Sequence, residues 1–88
     1  MDSFSARADQ LSDTLRQMEQ NAGDDQLFAL GYLIPQLTLV AEYVEPENNF
    51  DACFTRWLHQ VFDDDQMIEE DRQQILALWH QAITLADQ

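Results

Sequence analysis

The stretch Asn49-Phe50-Asp51-Ala52-Cys53-Phe54-Thr55-Arg56-Trp57-Leu58-His59-Gln60-Val61-Phe62 decides the fold. Its apolar residues stand at 50, 53, 54, 57, 58, 61 and 62. That is the three- and four-residue spacing of one helical face, whereas a half-buried strand would alternate every second residue. The face is about half the helix wide, so a helix over residues 50–62 sits deep in its domain. Asn48 or Asn49 supplies its N-cap. The turn Pro46-Glu47-Asn48-Asn49 precedes it, and Asp63-Asp64-Asp65 ends it or links it onward.

Working outward, the same period recurs three times. A first helix over residues 3–22 carries Phe4, Ala8, Leu11, Leu15, Met18 and Ala22 on a narrow seam. Asp2 or Ser3 caps its start, and Gly23 is placed to take the left-handed stop position. A second helix starts at Asp24 or Asp25 and ends near Val44, before Glu45-Pro46. Pro35 lies inside it, removes one amide donor and crowds the carbonyl of Gly31. The expectation is a kink, or a break into two short helices, near Gly31–Pro35. A fourth helix begins between Asp65 and Glu69 and reaches Ala86, with Ile68, Ile75, Leu76, Trp79, Ala82, Ile83 and Ala86 as its stripe. Four helices with short connections predict an all-α, four-helix bundle-like fold, one domain over residues 1–88.

Charge narrows the function classes. Seventeen Asp and Glu stand against four Arg and no Lys, a formal net charge of −13. Nucleic-acid backbones and anionic membrane surfaces both need clustered cations, so neither is an expected partner. The acidity fits solubility, life in salty water, or a basic protein partner. One Cys cannot form an internal disulfide, which fits a reducing cytoplasm. The N-terminal MDSFSARADQ lacks the basic and apolar regions of a signal peptide. The most apolar stretch, Leu27 to Val44, is interrupted by Gly31, Pro35, Gln36, Thr38 and Glu42 and does not read as a membrane span.

The segment Asp24-Asp25-Gln26-Leu27-Phe28-Ala29-Leu30-Gly31-Tyr32-Leu33, followed by Leu37-Thr38-Leu39, resembles the YfcL-like family of small bacterial proteins. The resemblance extends more weakly to the Trp79 region. It implies a helical protein of this length and no particular chemistry, cofactor or catalytic residue. A member of that family carries His before Leu-Thr-Leu; this chain carries Gln36.

Residues with chemistry to offer do not assemble into a known motif. The run Asp63 to Asp71 fails the calcium-loop template, because the fifth and sixth positions from Asp63 are Met67 and Ile68. Its carboxylates are expected at a helix N-terminus, where unpaired amides favour negative charge. Neither His59 nor His80 has a Glu three residues before it, so the di-metal carboxylate pattern is absent and no metal or cofactor is expected. His59 is expected in solvent and His80 at the edge of its helix's apolar arc. Cys53 falls within a core stripe and reads as a small hydrophobe rather than a nucleophile. No catalytic role is expected of any residue.

The second helix has apolar surface to spare. Leu27, Leu30, Leu33, Ile34, Leu37, Val40, Ala41 and Val44 form its main arc. Phe28, Tyr32, Leu39 and Tyr43 form a second arc, either packed inside as part of a central helix or exposed as a docking face. The preferred function is a non-enzymatic interaction or accessory protein that binds a protein partner, a basic one included, or a second copy of itself, through Phe28, Tyr32, Leu39 and Tyr43. One alternative is a small-molecule or metal-binding protein, an enzyme included, with a pocket between helices formed by groups such as Tyr32, Thr38 and His80. Another is an acidic mimic of nucleic acid.

Overall fold

The computed structural model describes residues 3–88, which form four α-helices and no strand. They are α1 (Ser3–Gln20), α2 (Asp24–Tyr43), α3 (Phe50–Asp64) and α4 (Glu69–Ala86). The Asp2 cap lies outside the described residues. The radius of gyration is 12.4 Å, close to the roughly 12 Å expected of a compact chain this long. One continuous apolar core runs through all four helices.

Each helix buries the face its spacing predicts. α1 contributes Phe4, Ala8, Leu11 and Leu15; α3 contributes Phe50, Cys53, Phe54, Leu58 and Phe62. Aromatic edges knit the layers. Phe4 meets Phe50 edge-on at 4.9 Å between centroids, and Phe54 meets Trp79 edge-on at 4.7 Å. Ala29 and Leu78 join the core although the apolar stripes omit them. Leu27 and Ile68, expected inside, are exposed. Both stand at or beside a helix N-terminus, Leu27 in the first turn of α2 and Ile68 at the N-cap of α4.

α2 runs through Pro35 as one element and does not divide there. Gly31 and Pro35 both lie on its exposed side, so water can reach the Gly31 carbonyl that Pro35 cannot serve. Leu30, Leu33, Leu37 and Val40 meanwhile hold both halves of the helix to the same core. Gly23 does not take a left-handed stop. Its φ of −80° and ψ of 169° are extended, and it is the N-cap of α2. α1 instead closes with two tighter bonds, Asn21 N–H to the Met18 carbonyl and Ala22 N–H to that of Glu19. Asn49 is the cap of α3, its side chain accepting from the Ala52 amide at 3.0 Å.

Among the described residues the left-handed one is Gln66, with φ of 52°. It closes α3: Gln66 N–H donates to the Asp63 carbonyl and Met67 N–H to that of Phe62. This is the Schellman pairing, and the side chain of Met67 packs back onto the core beside it. Glycine is thus missing where the backbone favours it and present where it does not. A Cβ added at Gly31 would meet nothing within 4 Å, and Gly31 does not have positive φ. Gly31→Ala and Gln66→Gly are each expected to stabilise the fold by about 0.5–1 kcal/mol. Urea titration followed by circular dichroism checks both; a fall in the midpoint for either variant contradicts this account of that site.

Candidate functional site

The core offers no interior chemistry. Among the described residues no polar or charged residue is buried, and no buried side-chain polar atom lacks a hydrogen-bond partner. Cys53 is buried, and burial first, then the Glu47 carboxylate, pushes its thiol up. A raised thiol is a poor nucleophile at neutral pH. Among the described residues no group of three or more His, Cys, Asp or Glu is placed to hold a metal ion. No helix there is long and apolar enough to cross a membrane. His59 and His80 are both exposed. Thr38 lines an open groove between α1 and α2, but neither Tyr32 nor His80 reaches it, so the pocket of Tyr32, Thr38 and His80 does not form there.

Chemistry therefore belongs to the surface, and α2 exposes a large uncharged part of it. From Gln26 to Ala41 it carries no charged residue, in a chain of net charge −13. Phe28 is 53% exposed, Leu39 40% and Tyr43 76%. At 100° per residue these three fall within a narrow arc of the helix wheel, and the exposed Pro35 falls beside them. They form a ridge about 22 Å long at the helical rise per residue. Asp24 and Asp25 stand at one end and Glu42 and Glu45 at the other, all exposed.

Tyr32 departs from the other three. It is half-buried, its ring tilted against Phe62 at 6.0 Å, and its hydroxyl donates to Asp65 at 3.2 Å. Burial first, then the bond to Asp65, pushes its hydroxyl up to about 12. Tyr32 thus braces α2 against the end of α3 and borders the ridge rather than topping it. Gln36 braces one turn further on, accepting from the Trp57 indole N–H at 2.8 Å. Gln36 is thus a structural acceptor.

The acidic run from Asp63 divides in two. Glu69, Glu70 and Asp71 lie in the first turn of α4, where the helix dipole favours them. Asp63 and Asp64 end α3 and Asp65 caps it, at the end where the dipole opposes negative charge. The expectation of a helix N-terminus fails for these three. Arg72 from α4 supplies the compensating cation, donating to Asp63 at 2.7 Å, to the Met67 carbonyl at 2.7 Å and to the Phe62 carbonyl at 3.2 Å. Arg7 does comparable work elsewhere. Its guanidinium grips both Asp51 oxygens, at 3.0 and 2.8 Å, and reaches Asp87 at 2.8 Å, tying α1 to α3 and the chain end. Arg56 pairs with Glu47. Three of the four cations are thus held in internal pairs.

Among known proteins, the family described as YfcL protein matches residues 4–84. No curated protein and no solved structure matches the chain.

Proposed function

We propose, from the premise that the chain belongs to the YfcL family, that it is a non-enzymatic interaction protein whose docking face is the ridge Phe28, Pro35, Leu39 and Tyr43 of α2, with Tyr32 at its border. Its partner is a basic protein surface with an apolar centre, met in the cytoplasm. The observation that carries the reading is the uncharged exposed ridge within a chain of net charge −13. Large apolar side chains left in water are an unused source of binding free energy, each of these partly covered ones contributing on the order of 1 kcal/mol if a partner covers the rest. Tyr43 suits a rim position, with an apolar ring and a wet hydroxyl.

Charge selects between the two kinds of partner. A second copy placed on the ridge would bring the carboxylates at both ends, Asp24, Asp25, Glu42 and Glu45, against their own images. A partner with Lys or Arg around an apolar patch gains from the same carboxylates, chiefly as faster encounter. The triple variant Phe28→Ser/Leu39→Ser/Tyr43→Ser removes the apolar ridge at exposed positions and should keep the helical spectrum. Affinity capture with the tagged chain at low and high salt tests the reading. A specific partner is expected at low salt, lost at high salt, and bound roughly a hundredfold more weakly by the triple variant. Undiminished capture by the triple variant would sink the docking face. A dimer that tightens with salt, seen by sedimentation, would replace the basic partner with a second copy.

A further inference from the structure

We propose that the open cleft where the α1–α2 corner meets the last turns of α4 binds a short, neutral peptide segment bearing one apolar side chain. The cleft has a volume of about 350 Å³. That lies at the small end of ligand sites, enough for a residue or two and too little for a folded element. Three helices converge on it. Gln17, Met18 and Asn21 come from the end of α1 and its turn, Gln26 from the start of α2, and Gln81 and Leu85 from α4.

The lining states what the cleft accepts. None of its side chains is charged, although the chain carries a net charge of −13. Four are carboxamides. Asn21 spends its amino group on the Gln17 backbone carbonyl at 3.0 Å, which leaves its oxygen as an acceptor. The carboxamides of Gln17, Gln26 and Gln81 make no side-chain hydrogen bond among the described residues. Each offers two donors and one acceptor, and the matching chemistry is another amide, one N–H and one C=O on a planar group. A carboxylate would enter a strongly negative field and find no cation. A cation would find no carboxylate in the lining and many elsewhere. The neutral amide is the class the cleft does not disfavour. The same lining includes Met18, packed against the core, and Leu85, 41% exposed. A thioether that adapts its shape beside a free aliphatic side chain makes a place for one apolar group.

The probe is N-acetyl-leucinamide, titrated into the isotope-labelled full chain and followed by amide-resolved NMR. Saturable shifts are expected at the side-chain amides of Gln17, Asn21, Gln26 and Gln81 and at the backbone of Met18 and Leu85. The dissociation constant should be on the order of millimolar for a ligand of this size. N-acetyl-leucine, with its carboxylate, should bind several-fold more weakly. Leu85→Ser, at an exposed position, should weaken N-acetyl-leucinamide several-fold while leaving the rest of the spectrum in place. Absent or scattered shifts up to tens of millimolar would overturn the site. Equal binding of the carboxylate form would overturn its selectivity for neutral ligands. The readout is separate from the α2 ridge, whose residues do not line the cleft.

Discussion

Trp79→Ala is expected to remove about 3–5 kcal/mol of stability, the range for deleting a buried large aromatic side chain. Trp79 is fully buried, touches Phe54 edge-on at 4.7 Å, and donates its indole N–H to the Thr55 hydroxyl at 2.9 Å. It therefore joins α4 to α3 by both packing and a hydrogen bond. A domain of this length has about 4–13 kcal/mol in total, so the variant loses roughly a quarter or more of it, and unfolds at room temperature where the total lies at the low end. Trp79→Phe separates the two contributions. It keeps an aromatic ring against Phe54, loses the donor to Thr55, and should cost about 1–2 kcal/mol. Urea titration followed by circular dichroism gives both numbers, with Trp57 left as a fluorescent reporter. A loss below about 1.5 kcal/mol for Trp79→Ala would mean that α3 and α4 hold together without this residue.

The reason Trp79 was legible in the sequence also explains what was not. Its place is fixed by period: residues 75, 79 and 82 fall on one face, as 50, 54, 58 and 62 do on α3. Period reports which side of a helix is apolar, but not how far the neighbouring helix extends. Leu27 and Ile68 carry the right phase and lie where the packing runs out. Nor does period report which of two apolar arcs is covered. Phe28, Tyr32, Leu39 and Tyr43 share one arc of α2, yet Tyr32 is drawn inward because the end of α3 lies beside it, with Phe62 and Asp65 as its partners. The left-handed turn at Gln66 left no trace, since the usual signal is a glycine and this chain lacks one there. Of the two outcomes that Pro35 suggested, the break does not occur, because core residues on both sides keep α2 one element. The carboxamide cleft is assembled from three helices and could not be read from any one of them.

Arg72→Ala is expected to cost about 2–3 kcal/mol, a large loss for a residue on the surface of the bundle. The acidic stretch Asp63-Asp64-Asp65 stands at the C-terminal end of α3, where the final carbonyls already carry partial negative charge. No basic residue lies in that last turn, so the cation must come from elsewhere. Arg72 reaches back from α4 with three hydrogen bonds, two of them to backbone carbonyls, Phe62 in the last turn of α3 and Met67 in the connector, and its guanidinium lies 6.0 Å from the centre of the Phe62 ring. One planar group thus neutralises the helix end and ties α4 to the connector that holds the left-handed turn at Gln66. A surface ion pair alone would be worth less than 1 kcal/mol, so the bonds to the Met67 and Phe62 carbonyls carry most of the effect. Arg72→Lys tests that division. Lysine keeps the charge but not the fork, and should recover less than half of the loss. Hydrogen exchange should show the amides of Gln66 and Met67 losing protection first in Arg72→Ala, ahead of those in α1. Full rescue by lysine would reduce the residue's role to charge alone.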